Sequence, residues 1–234
     1  MTRNELEQNR TGTIFQYRGI PIHAPIVLHE KTVEWLKTNI RDDATIADIG
    51  CGCGGLTQRL VDEGYNVVAI DMDMSDYAAK GADAMECDIS RCADLLRDYE
   101  FDCVIALEVI EHTFNPVEFL KCLKIITKKY IIVSFPNIHE AHNLLTFTRN
   151  GEFCWWNRDA YDQIGHKSII VDWLFIKYCE TAGLEVREIH YLDEITPHRI
   201  RSHLFRLAMI PLCLLGIGKK KRVAGSVLAI ADAQ

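Results

Sequence analysis

The first ten residues, Met1 to Arg10, hold no apolar run, and a secretory leader needs one of about 7–15 residues. Nine cysteines are present, yet none falls into a CxxC pair. Cys51 and Cys53 enclose a single residue, and Cys87 and Cys92 have no partner pair at ligand spacing. A structural zinc site is therefore not expected. Without a leader, the cysteines point to a reducing, cytoplasmic setting and away from a disulfide framework. Repeats and low-complexity stretches are also missing. The apolar stretch Leu207–Gly218 is about twelve residues long, short of the ~20 that cross a bilayer. Thr196 to Ala231 lacks Asp and Glu but carries Arg199, Arg201, Arg206, Lys219, Lys220, Lys221 and Arg222. The chain's net charge is −7, so the remainder carries −7 less +7, or −14. Nucleic acid is disfavoured as a partner everywhere except that basic segment.

What is present fits one α/β domain. The 234 residues are 48% hydrophobic and 25% charged, enough to bury a sizeable core. Residues 1–24 read as a loosely structured arm, and residues 25–234 as a single domain. A helical pattern starts at Pro25 and runs through Leu28, Val33, Trp35, Leu36 and Ile40. Apolar strands follow at 44–49, 66–70, 101–107 and 130–135, with a brief one ending at Asp88. Helices are expected from near Gly54, at 75–80, at 91–97 and from Pro116 to about Lys128. Continuous apolar strands alternating with helices indicate a parallel sheet covered on both faces, which binds ligands at the carboxyl ends of its strands. Beyond Pro136, residues 137–167 have no clean period and read as a loop or lid insertion. A helix at 170–182 (Trp173, Leu174, Ile176), capped by Gly183, precedes strands at 184–192 and 226–231.

Chemistry concentrates at Asp48-Ile49-Gly50-Cys51-Gly52-Cys53-Gly54-Gly55. Glycines there let the backbone turn sharply and approach a ligand, and the helix that follows offers free N–H groups. Gly50, Gly52 and Gly55 also satisfy G-x-G-x-x-G, with Asp71 placed as a dinucleotide's ribose acid. The loop alone fits S-adenosylmethionine (SAM) and NAD alike. Its neighbours favour SAM. Asp48 would attract an amino-acid ammonium and repel a pyrophosphate. Asp88 is placed to accept from an adenine amino group, or else to cap a helix. Glu108-Val109-Ile110-Glu111-His112 adds acids from which a dinucleotide gains nothing.

The runs Ala47–Leu56, Ala69-Ile70-Asp71 and Leu107–His112 resemble the class I SAM-dependent methyltransferases, and Tyr130–Asn137 is similar to MetW-like members. The resemblance spans roughly residues 40–195. It implies a Rossmann-like, seven-stranded, mostly parallel sheet with a reversed C-terminal β-hairpin. It also implies that Asp48, Gly50, Cys51, Gly52 and Gly54 surround the methionine end of SAM, with Asp71 on the ribose. Met72 would lie beside the adenine, Asp88 on its amino group, and Glu108 at the same cofactor site.

For methyl transfer to oxygen the expected acid–base residues are His112, His166 and Glu111. Glu108, Glu111, His112 and His166 together could also bind a divalent metal. That pattern resembles small-RNA 3′-end 2′-O-methyltransferases and, in its E-x-x-E-H part, quinone-pathway O-methyltransferases. Phe153, Trp155, Trp156 and Tyr161 either wall a substrate pocket or pack the insertion onto the domain. The expected acceptor is a small molecule or a lipid-like one. Residues 199–222 suit either a peripheral contact with an anionic membrane or a buried helix. An NAD-dependent oxidoreductase, a non-catalytic SAM-binding partner protein and a metal-dependent RNA 2′-O-methyltransferase are the competing expectations.

Overall fold

Successive residues of each inner strand alternate between two apolar layers, which is why those strands read as unbroken apolar runs in the sequence. The computed structural model describes residues 15–193 and 224–233. Of the basic–apolar segment 196–224, only Ala224 is among them, so the expected membrane contact through 199–222 lies outside the described residues.

The main sheet contains β3 (Thr45–Ile49), β4 (Asn66–Asp71), β5 (Asp83–Glu86), β6 (Phe101–Leu107), β7 (Thr127–Pro136), β8 (Glu185–Leu192) and β9 (Ser226–Asp232). Their order is β5-β4-β3-β6-β7-β9-β8. The first five are parallel, while β9 pairs antiparallel with both β7 and β8. This is the expected seven-stranded sheet with a reversed C-terminal hairpin.

Ile46, Cys103, Ile105, Ile132, Leu228 and Ile230 pack toward α1 (Ile26–Asn39) and α2 (Gly55–Asp62). Ala47, Val104, Ile131, Val133 and Ala229 pack on the other face. That face is covered by α3 (Ile89–Cys92), α4 (Pro116–Ile126) and α6 (Asp172–Ala182). Each fully buried Leu or Ile contributes about 1.5–3 kcal/mol by leaving water. The two layers therefore hold the strand ends, and the loops they carry, in fixed positions. Pro116 at the first turn of α4 and Gly183 in left-handed conformation after α6 start and stop those helices as the sequence suggests.

Several expectations need correction. The arm contains a β-hairpin, β1 (Phe15–Tyr17) and β2 (Ile20–Ile22), whose Ile20 and Ile22 are buried. Asp62 of α2 anchors it, accepting from the Tyr17 hydroxyl at 2.9 Å and pairing with Arg18 at 2.6 Å. Residues 75–80 hold a turn at 75–76 and no helix. β5 stops at Glu86, and Asp88 caps α3 by accepting from the Ser90 N–H at 3.0 Å. The insertion 137–167 is partly helical, with α5 (Ala141–Asn150) and a π-turn at Ala160–Ile164. α6 begins at Asp172 and buries Phe175 and Cys179, leaving Trp173 exposed. Cys87 is disulfide-bonded, while Cys51, Cys53, Cys103, Cys122, Cys154 and Cys179 are thiols.

Candidate functional site

From β3 the chain goes outward to β4 and β5, then returns to the other side of β3 as β6. Loops leaving β3 and β6 therefore diverge, and a cleft of about 590 Å³ opens at those carboxyl ends. That volume lies within the 300–1,000 Å³ range of small-molecule sites. Six segments line it: the loop after β3, the exit of β4, the exit of β6, Pro21–Ala24 at the end of the hairpin, the first turn of α1 and the end of the insertion.

Close approach explains Gly50. Its N–H donates to the Ile70 carbonyl at 2.7 Å, its φ is +70°, and a Cβ there would sit 2.4 Å from Val109 Cγ2. Gly52 has the opposite surroundings: a Cβ would meet nothing nearer than His23 Cδ2 at 3.9 Å and would fill the cleft. The Gly52 N–H donates to Asp71 Oδ2 at 2.8 Å, and the Asp73 N–H donates to Oδ1 at 3.2 Å. Asp71 thus ties the glycine loop to the end of β4, with lone pairs left on both oxygens. Gly54 serves packing instead. It does not line the cleft, and a Cβ there would lie 2.8 Å from Tyr77 and Ala79.

Asp48 lines the cleft at only 3% exposure. The Thr57 hydroxyl donates to its Oδ2 at 2.6 Å. Burial pushes its pKa up to about 6, the Thr57 bond pulls it down, and the charge of Asp71 adds to the rise. A cation beside Asp48 would relieve that desolvation. Burial, with Asp48 and Asp71 close by, pushes the Cys51 thiol far above its usual range, so Cys51 is no thiolate nucleophile.

Glu108 follows β6 in left-handed conformation, φ +56°, which a non-glycine residue adopts at a cost of about 1–3 kcal/mol. Ser134 holds it there. The Ser134 Oγ accepts from the Glu108 N–H at 2.9 Å and donates to Oε1 at 3.1 Å. Two residues on, a 3₁₀ turn (Ile110–His112) presents Glu111 and His112 to the cleft. The insertion delivers His166 to the same point. Its backbone is tied on by the N–H groups of Lys167 and Ser168, which donate to the Glu111 carbonyl at 2.7 and 2.9 Å. The His112 and His166 rings meet edge to face with centroids 4.9 Å apart. His166 Nδ1 lies 2.8 Å from the Trp155 carbonyl, an acceptor only, so Nδ1 carries a proton, and in the neutral ring Nε2 holds the lone pair. One ligand atom each from Glu111, His112 and His166 lies within 4.8 Å of the others.

The structure thus brings Asp48, Gly50, Cys51, Gly52, Asp71, Glu108, Glu111, His112 and His166 into one cleft. Three expected residues stand apart. Gly54 packs as above, and Met72 is 69% exposed outside the cleft lining. Asp88 caps α3 and borders a separate shallow depression. The insertion's aromatics mostly pack it in place: Trp156 Nε1–H donates to the Ser168 carbonyl at 3.1 Å, and Phe153 stacks on Phe147. Of the described insertion residues, Ile164 and His166 reach the cleft. Sequence reasoning missed His23 and His29, which also line it; the Tyr17-Arg18-Gly19-Ile20 turn signal could have revealed the hairpin that positions His23.

Residues 31–215 match the family model described as "Methionine biosynthesis protein MetW". The chain is 32% identical over 170 residues to the ubiquinone biosynthesis O-methyltransferase of Rickettsia bellii (strain OSU 85-389), covering 67% of this chain and 69% of that one. It is 35% identical over 99 residues to the enzyme of the same name from Rickettsia prowazekii (strain Madrid E), covering 39% of each. Among solved structures, a SAM-dependent methyltransferase from Archaeoglobus fulgidus superposes with a TM-score of 0.65 at 16% identity, covering 98% of this chain and 99% of that one. Magnesium protoporphyrin IX methyltransferase from Synechocystis PCC 6803, with bound SAH, gives 0.60 at 15% identity, covering 87% and 81%. At those identities the two structures speak for the fold. A Rossmann-like sheet of methyltransferase order, an acid-flanked glycine loop at its switch point, and these matches together establish that the chain belongs to the MetW family of class I SAM-dependent methyltransferases.

Proposed function

We propose that this cleft holds SAM and an alcohol or phenol side by side, and that the chain methylates the acceptor's oxygen. The observation that carries the oxygen assignment is the convergence of Glu111, His112 and His166 in the cleft that also contains Asp48 and Asp71. Relatives named O-methyltransferases support the same acceptor atom.

The chain's own groups suit SAM. Asp48 is a buried carboxylate whose desolvation an ammonium would offset, and the empty side of Gly52 leaves room for the ligand. Asp71 retains acceptor capacity for ribose hydroxyls. SAM, when bound, supplies an electrophilic methyl group on a sulfonium. The protein's task is alignment, since in-line displacement gains most from positioning. Glu108, fixed by Ser134, borders the space between cofactor and acceptor. His166 Nε2 or Glu111 accepts the acceptor hydroxyl's proton as its oxygen becomes nucleophilic. Family membership sets aside the nicotinamide alternative.

A second mode of activation is favoured by one specific observation: two imidazoles and a carboxylate within 4.8 Å are a ligand set for a divalent ion. Such an ion would orient the acceptor and lower its hydroxyl pKa. Methyl transfer from labelled SAM to a panel of phenols, amines and thiols, with and without chelator, tests both points. Label on phenols supports oxygen transfer; label on amines alone overturns it. Loss of activity in chelator, restored by Mg²⁺ or Mn²⁺, supports the metal; full activity in chelator removes it.

A further inference from the structure

Cys53 and His23 form a pair inside the cleft that the chemistry above leaves without a task. His23 Nε2 lies 3.2 Å from Cys53 Sγ, and both residues are half-buried and line the cleft. Cys53 is a thiol rather than half of a disulfide. Sulfur attacks as the thiolate, and an imidazole within hydrogen-bond reach is a base that can take the thiol's proton.

Packing on two sides sets the pair. The hairpin lies so close to the start of α2 that a Cβ on Gly55 would meet Ile22 Cγ1 at 2.9 Å and the Pro21 carbonyl oxygen at 3.1 Å. His23, the residue after β2, is thereby held over the glycine loop. From the other side, the Cys53 carbonyl accepts from the Ala78 N–H at 3.0 Å, and Gly54 abuts Tyr77 and Ala79. Cys51 has a different setting. Its Sγ meets Met74 Sδ at 3.9 Å in place of a base, and burial beside Asp48 and Asp71 pushes its thiol far above the usual range. Reactivity is therefore expected at Cys53 and not at Cys51.

Position gives that reactivity a consequence. His23 Cδ2 lies 3.9 Å from where a Cβ on Gly52 would be, so the ring edges the open side of Gly52. That open side is the space a ligand needs. Tyr77 and Ala79 already fill the side toward Gly54. A bulky group joined to Cys53 Sγ would therefore project into the cleft and take the ligand's place.

Given that the cleft holds SAM as proposed above, we propose that Cys53, with His23 as its base, is a site of reversible thiolation by small disulfides that closes the cleft to cofactor. His23 Nε2 takes the thiol proton, and the Cys53 thiolate attacks one sulfur of the disulfide. A bond from Cys53 Sγ to that sulfur forms as the reagent's own sulfur–sulfur bond breaks, and the leaving thiolate takes the proton back from His23. Cys53 is oxidised and the released half becomes a thiol, so the disulfide is the only reagent. Excess thiol reverses the exchange.

The test treats the full chain with glutathione disulfide, maps adducts by peptide mass spectrometry, and titrates S-adenosylhomocysteine by calorimetry before and after. An adduct on Cys53 is expected, with affinity weakened about tenfold or more and restored by dithiothreitol. Cys53→Ser, compared with its own untreated affinity, should lose less than about twofold. His23→Phe should form the adduct about tenfold or more slowly. No adduct on Cys53, an adduct that leaves affinity unchanged, or equal rates in His23→Phe and wild type overturns the proposal. Should a variant not fold, the mapping and the affinity loss in wild type still decide it. Failure of untreated wild type to bind S-adenosylhomocysteine would instead overturn the cofactor cleft, and adduct mapping would still report on Cys53.

Discussion

The hydroxyl of Thr57, at the start of α2, donates a 2.6 Å hydrogen bond to the carboxylate of Asp48, at the end of β3. That bond steadies a charge which burial resists, and it links cofactor binding to pH.

Asp48 has its pKa raised from 3.8 to about 6 in the folded chain. Between about pH 4 and 6 the native state holds a proton that the unfolded chain has released. Stability therefore falls as pH rises through that window, by up to about 3 kcal/mol, and is level above it. Binding of a cationic head has the opposite dependence: it needs the ionised carboxylate and weakens as pH falls below about 6. Calorimetry from pH 5 to 8 should show that loss. Asp48→Asn should weaken SAM tenfold or more while melting above wild type at pH 7.5, the signature of a group kept for function.

Removing the donor isolates its contribution. Thr57→Val should raise the Asp48 pKa further and move the acid limb of SAM binding upward. A pH profile superimposable on wild type would show that the bond does not tune Asp48.

Gly50 and Val109 are coupled by sterics. Gly50→Ala forces a Cβ to within 2.4 Å of Val109 Cγ2 at a φ of +70°, and should cost about 2–4 kcal/mol. Val109→Ala in the same chain should recover a measurable part of it. Additive losses in chemical denaturation would argue against the contact.

At the acceptor end, Glu111→Gln and His166→Ala should lower turnover by about 10²–10⁴-fold with little change in SAM affinity. Equal losses in turnover and SAM affinity would mean that these residues hold the cofactor.

Much of this was legible because the physics is local. Phe101–Leu107 and Thr45–Ile49 are buried on both faces, so apolar runs marked them directly, and three closely spaced glycines announced the loop. Legibility failed where tertiary contacts decide. Ile20 and Ile22 look like scattered apolar residues until α2 and Gly55 give them a surface. Asp83–Glu86 has poor strand propensity and is a strand because it pairs with β4. Asp88 could cap a helix or face an adenine, and only its bond to the Ser90 N–H shows what its carboxylate does. His29 sits inside an ordinary helical pattern, and nothing in sequence spacing distinguishes a core histidine from one lining a cleft. The same holds for His166, which the insertion carries to Glu111 through backbone bonds that no motif encodes.

The most direct measurement is calorimetric titration of SAM into the wild-type chain and into Asp71→Ala. Asp71 accepts from the N–H groups of Gly52 and Asp73 and retains capacity for the ribose, so its loss should loosen the loop and remove a ligand contact together. One equivalent of SAM bound by wild type, with affinity at least tenfold weaker in a still-folded Asp71→Ala, is the predicted result. Equal affinity in the two would contradict the assignment of the cofactor to this cleft.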